Sequence, residues 1–206
     1  MSFIAAETDR PAAPPWRAAR HQKMLRAATE ALRADTPEAV SMDAIAQAAG
    51  VGKATLYRYF ESKEALLRAC LEQAVDELGA RMEAAERAPL EPPARLHRIT
   101  QEMVEAFSRH MMPLRPLMQR HTDLQDDWRR LVLAARHRLV WVLRQHFERG
   151  RAEGWYGPVD PELVPHMIMG MIRSSVTHVS GKDLAAITDG IAAFVLRACL
   201  VEERRT

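Results

Sequence analysis

From Ser41 to Lys63 the chain reads SMDAIAQAAGVGKATLYRYFESK, and Lys53, Thr55, Tyr57, Arg58 and Tyr59 gather two cations and three hydroxyls into seven residues. These side chains are donors for base edges and phosphate oxygens, which is the chemistry of reading a duplex rather than of cleaving a bond. They need a rigid cylinder to present them. Leu56 and Phe60, four residues apart, give that cylinder an inward side and leave the polar residues outward. A short helix precedes it, with Ser41 as N-cap, Asp43 in the first turn where the helix dipole favours an anion, and Ile45, Ala46, Ala48 and Ala49 as a small packing face. Gly50 fits the reversal between the helices, because a residue without Cβ tolerates positive φ, and Gly52 opens the second helix.

The segment AIAQAAGVGKATLYRYFESKEAL resembles the helix-turn-helix of TetR-type bacterial transcriptional regulators, over a span from about Arg17 to Cys70. Gly52 stands where that family usually has serine, so a hydroxyl is missing. Arg58 and Tyr59 replace the usual small or histidine residues. The resemblance implies an all-α fold of about nine helices: an N-terminal three-helix DNA-binding domain over 16–62, and a helical ligand-binding and dimerisation domain over 63–206. The residues expected at the duplex are then Arg17, Arg20, Ser41, Met42, Gly52, Lys53, Ala54, Thr55, Tyr57, Arg58, Tyr59 and Lys63. Lys53 and Thr55 are expected to read bases or nearby phosphates, and Tyr57, Arg58, Tyr59 and Lys63 to grip the backbone. Arg17 and Arg20 lie on a basic stretch that solvent alone could explain; the resemblance favours phosphate contact.

Charge agrees with this placement. The whole chain of 206 residues carries a formal net charge of only +2, yet Trp16–Arg68 holds nine Lys/Arg against six Asp/Glu, whereas the remainder after Arg68 is balanced. The positive excess therefore sits with the motif, as a phosphate footprint requires. A hydrophobic share of 48% with 27% charged residues describes a globular chain. Cys70 and Cys199 show no metal-ligand spacing and read as reduced thiols on helix faces, with a sensor or a disulfide as the alternatives. Residues 1–15 are rich in Pro and Ala and read as a disordered tail. They lack the basic start and apolar run of a signal peptide, no stretch is long enough to span a bilayer, and the expected location is the cytoplasm.

Downstream, periodicity predicts a helix from Trp16 to Ala34 with Leu25, Ala28 and Leu32 inward, a loop at Asp35–Ala39, and a long helix capped by Ser62 running from Lys63 to about Arg87. Prolines 89, 92 and 93 mark a break. Further helices are expected over Pro93–His110, Pro113–Arg120, Leu124–Glu153, Glu162–Val179 (with Asp160-Pro161 as its start) and Lys182–Val201. In the last, Leu184, Ile187, Ile191, Phe194 and Ala198 are read as the inward register.

The last two of these carry wide apolar arcs, with His166, Gly170, Arg173 and Thr177 on a small, polar stripe of the first. That pattern suits packing on one side and a second copy on the other, so a homodimer through these helices is expected. Methionines and aromatics in the second half, Met103, Phe107, Met111, Leu114, Leu117, Met118, Trp141 and Met167, are either core filling or the lining of an adaptable cavity for a small apolar ligand. Arg115, Arg120 and Arg173 can meet an anionic group of such a ligand or serve as ordinary ion-pair partners. No histidine spacing suggests a metal, no cofactor is implied, and no nucleophile or phosphate loop suggests an enzyme. The reading is a ligand-responsive repressor on a palindromic double-stranded operator. The alternatives are an architectural or activator-type DNA-binding factor without small-molecule input, and a metal-sensing helical protein.

Overall fold

The computed structural model describes residues 14–35, 39–112, 125–179, 181 and 183–204. The rest of the expected tail, Pro37, the expected helix Pro113–Arg120 with Leu114, Arg115, Leu117, Met118 and Arg120, and Lys182 lie outside the described residues. Among those described there are eight α-helices and no strand; the only β-type pairing is an isolated bridge between Tyr156 and Leu200. The chain divides into two compact units, the first ending at Cys70 and the second starting at Leu71.

In the first unit, α1 (Pro15–Ala34) begins with proline at its first position, where the missing N–H has no intrahelical partner to lose. Met24, Leu25, Ala28 and Leu32 are buried. α2 (Met42–Ala48) is capped as expected, the Ser41 hydroxyl accepting from Ala44 N at 3.1 Å. Gly50 reverses the chain at φ +62°, and α3 (Lys53–Tyr59) follows with Leu56 and Phe60 buried. The buried stripe of α2 and its C-cap is Met42, Ile45, Ala46 and Ala49, spaced three, four and seven residues from its first member; Ala48 is exposed, contrary to expectation. α4 (Lys63–Arg87) starts where the Ser62 hydroxyl accepts from Ala65 N at 3.1 Å. Its Cys70 thiol donates to the Leu25 carbonyl at 3.7 Å, and burial pushes that thiol up to about 11.

In the second unit, α5 (Pro92–Ala106) packs most extensively against α8 (Leu184–Cys199), and α7 (Leu163–His178) packs on α8 and on α6 (Gln125–Ala152). α5 does not end at Ala106 but widens into one π-helical segment, Phe107–Met111. Gly154, at φ +72°, closes off α6. Asp160 accepts from the N–H groups of Glu162 and Leu163 at 2.8 and 3.2 Å, so the helix starts two residues later than the Asp-Pro pair suggested. Asp183 caps α8 through Ala186 N at 2.7 Å.

The inward register of α8 is Ile187, Ile191, Val195 and Cys199, while Phe194 is 61% exposed and Ala198 is exposed. The expected register drifted at Phe194: stepping three from Ile191 turns onto the next face, and stepping four reaches Val195, which keeps the stripe on the core.

The apolar core of this unit surrounds a polar knot. His146 is fully buried, with Nδ1 2.7 Å from Glu86 Oε2 and Nε2 2.7 Å from the Tyr156 hydroxyl. Arg95, 1% exposed, donates to the Glu86 carbonyl and to Glu153 Oε2. Arg149 and Arg95 hold the Glu153 carboxyl below its usual range, the hydrogen bond from Arg149 being the largest cause. Burial pushes the Tyr156 phenol upward.

Candidate nucleic-acid interface

The α3 face is the one the sequence reading expected to be offered. Lys53, Ala54, Tyr57 and Arg58 are exposed, Thr55 and Tyr59 are half-buried, and the helix is held from beneath by Leu56 and Phe60. Its exposed donors therefore point away from the core of the unit. The flanking elements add more. Arg17 of α1 lies over the Tyr59 ring at 5.8 Å, and His21 packs against Tyr59 and Phe60 with ring centroids 6.3 and 5.1 Å away. Arg20 lies over Trp16 at 5.4 Å, and Trp16 is itself exposed. Both guanidinium groups lie within about 6 Å of a ring centroid, the range of a cation–π contact.

Three expected residues are placed differently from a simple exposed donor. Met42 is 7% exposed, so its side chain belongs to the core of the unit. The Ser41 hydroxyl is already engaged as the α2 cap. Lys53 is exposed but paired, its ammonium 2.8 Å from Asp43 Oδ1 and 3.0 Å from Oδ2. That hydrogen bond, first, and the carboxylate charge, second, raise the Lys53 pKa. Gly52 is exposed and Lys63 half-buried at the start of α4. Lys23, a further cation of α1, comes close to the turn: its Nζ lies 3.1 Å from where a Cβ on Gly50 would stand. Nothing in helical periodicity signals that approach, because it joins residues of two helices.

Of the expected ligand residues, those described are not all brought together. Met103 is buried in the second core, and Phe107 and Met111 follow it at four-residue steps, half-buried on the π segment. Thr177 of α7 donates to Met112 Sδ at 3.6 Å beside them. Trp141 and Met167 are 56% and 52% exposed, and Arg173 is exposed. They sit on the outer sides of α6 and α7, because the inward positions there are taken by Val142, Leu143, Ile168 and Ile172. Among the described residues no group of three or more His, Cys, Asp or Glu side chains is arranged to hold a metal, and no helix is long and apolar enough to cross a membrane.

Comparison with known proteins follows the same two-part division. Residues 24–70 match the family described as bacterial regulatory proteins, tetR family, and residues 89–198 match the tetracyclin repressor-like C-terminal domain. The HTH-type transcriptional regulator YhgD of Bacillus subtilis is 24% identical over 151 residues, covering 73% of this chain and 78% of that protein. A transcriptional regulator from Saccharomonospora viridis, solved with choline, superposes with a TM-score of 0.74 at 16% identity, covering 90% of this chain and 100% of the other. FadR of Bacillus subtilis, solved with stearoyl-CoA, superposes with a TM-score of 0.67 at 19% identity, covering 85% of this chain and 97% of the other. With one of these domain matches alone spanning more than half of its length, the chain belongs to the tetR family of bacterial regulatory proteins and is a DNA-binding transcriptional regulator of the helix-turn-helix kind.

Proposed function

We propose that the protein is a homodimeric repressor that binds a palindromic operator and leaves it when a small, largely apolar ligand binds the second unit. The observation that carries the reading is the outward face of α3, where Lys53, Tyr57 and Arg58 stand exposed on a helix pinned by buried Leu56 and Phe60. In this assignment Lys53 and Thr55 meet base edges or nearby phosphates, and Tyr57, Arg58, Tyr59, Arg17, Arg20 and Lys63 grip the backbone on either side.

A second copy is supported by the surface of α7 and α8. Leu163, Met167 and Phe194 are exposed there, and a Cβ added at Gly170 or Gly190 would meet nothing. Two readers joined through such a face address half-sites about 34–36 Å apart. A ligand site is supported by the Met103–Phe107–Met111 side of α5 and its π segment, and by relatives of the same fold solved with stearoyl-CoA or choline. α4 contributes its first residues to one unit and the rest to the other. Strain on it is the proposed route of coupling, worth about 1–3 kcal/mol in systems of this kind, or a 5–150-fold change in affinity.

The test is Arg58→Ala with a duplex selected from random sequence. Binding should weaken on all DNA, and its salt dependence should become shallower by about one in slope per half-site. Unchanged affinity and slope would remove the assignment.

A further inference from the structure

Resting on that duplex-reading assignment, a second feature of the first unit lies where α1, the turn and the start of α3 meet. A cleft of about 430 Å³ is lined by Arg20 and Lys23 of α1, by Gly50, Val51 and Gly52 of the turn, and by Thr55 of α3. Two cations and a hydroxyl line it, and no carboxylate does. Among the described residues, neither Arg20 nor Lys23 has an ion-pair partner.

The two glycines have different reasons. Gly50 is demanded by its backbone, at φ +62°; a Cβ there would stand 3.1 Å from Lys23 Nζ, the flexible end of a side chain that can shift. Gly52 is not demanded by the backbone. Its φ of −69° and ψ of 148° suit any residue, and a Cβ there would meet only Thr55 Oγ1, at 4.0 Å. Its missing side chain therefore keeps the cleft open rather than relieving strain. One glycine lets the ammonium in over the turn, and the other keeps a space in front of it.

We infer that this cleft is a seat for one backbone phosphate of the operator, with Lys23 as its principal ligand and Arg20 and the Thr55 hydroxyl beside it. The duplex is favoured as the phosphate's source because Thr55 belongs to the reading helix itself, so a phosphate bound here fixes α3 along the groove. Lys23 is then a positioning residue for DNA reading, supplied from α1. The competing role for Lys23 is structural: α2 has no basic residue in its last turn, and an ammonium near its end complements the helix dipole.

Scanning the selected operator with single methylphosphonates, using the full chain, separates these. Wild type should lose affinity at several positions. Lys23→Ala should bind about tenfold more weakly, show a salt slope shallower by about one per half-site, and become indifferent to neutralisation of one phosphate per half-site, with its melting temperature unchanged. A Lys23→Ala protein that still responds to every methylphosphonate as wild type does overturns the seat, as does a fall in melting temperature with unaltered duplex affinity. Inorganic phosphate that binds wild type but not Lys23→Ala, while duplex binding is equal in both, overturns it in favour of a free-anion site. Arg58→Ala keeps the two levels apart: if Arg58→Ala weakens binding and Lys23→Ala does not, only the seat fails, and if neither does, the duplex reading fails with it.

Discussion

At the scale of single residues, α3 is partly held back in the free protein. Lys53 stands at its first position, with its ammonium engaged by Asp43 across the turn. If Lys53 reads DNA as proposed, that carboxylate must be exchanged for a base edge or a phosphate, a cost that weighs most on weak encounters. Asp43→Asn should raise affinity for random duplex roughly two- to fivefold, as expected for an exposed pair, and narrow the preference for the operator. Equal affinities for both DNAs before and after the change, in a titration at fixed salt, would show that the pair has no such role. The exposure of Lys53, Tyr57 and Arg58 was legible in the sequence, because the spacing of Leu56 and Phe60 marks the inward side of α3. Their engagements were not: the partner of Lys53 lies ten residues away across a turn, and Lys23 reaches Gly50 from another helix. Met42 was legible in principle, since it shares the i, i+3, i+4, i+7 stripe with Ile45, Ala46 and Ala49.

At the scale of elements, the starts at Ser41 and Ser62 were well read, because both residues cap through their own side chains; Asp183, which caps α8 in the same way, stands one residue past the expected start. What a cap cannot tell is how close two elements lie. The chain after α6 folds back so that Tyr156 meets the last turns of that helix. A Cβ at Gly150 would stand 2.4 Å from the Tyr156 ring. That ring is buried and hydrogen-bonded to His146, so it has no easy way to yield. Gly150→Ala should therefore destabilise the second unit. Overpacking costs about 1–3 kcal/mol, more than the gain in helix propensity of at most about 1 kcal/mol. Urea unfolding measures the balance, and a more stable variant would mean that the ring moves freely. The knot of Glu86, His146, Tyr156 and Arg95 was also hidden from sequence. Its members are far apart in the chain, and a charged residue on a helix such as Arg95 reads as solvent-facing until the neighbouring helices are in place.

At the scale of the whole molecule, the proposed assembly uses the outer surface of α7 and α8, where the sequence was right about the helices and wrong about one register. Phe194 is not core but the largest exposed side chain of α8. Phe194→Glu should leave the melting of the monomeric fold nearly intact while shifting light scattering from dimer to monomer, and operator affinity should fall with it because two half-sites are no longer tethered. A dimer that persists would move the seam elsewhere. The same surface bears on partner choice in a cell that makes several paralogous regulators. In the proposed seam, glycines and apolar side chains such as Leu163, Met167 and Phe194 discriminate poorly between sister chains, since almost any flat helical pair can lie against them. Fidelity then falls to the few charges around them, Arg173 and Arg197 foremost, where a mismatched sibling brings like against like.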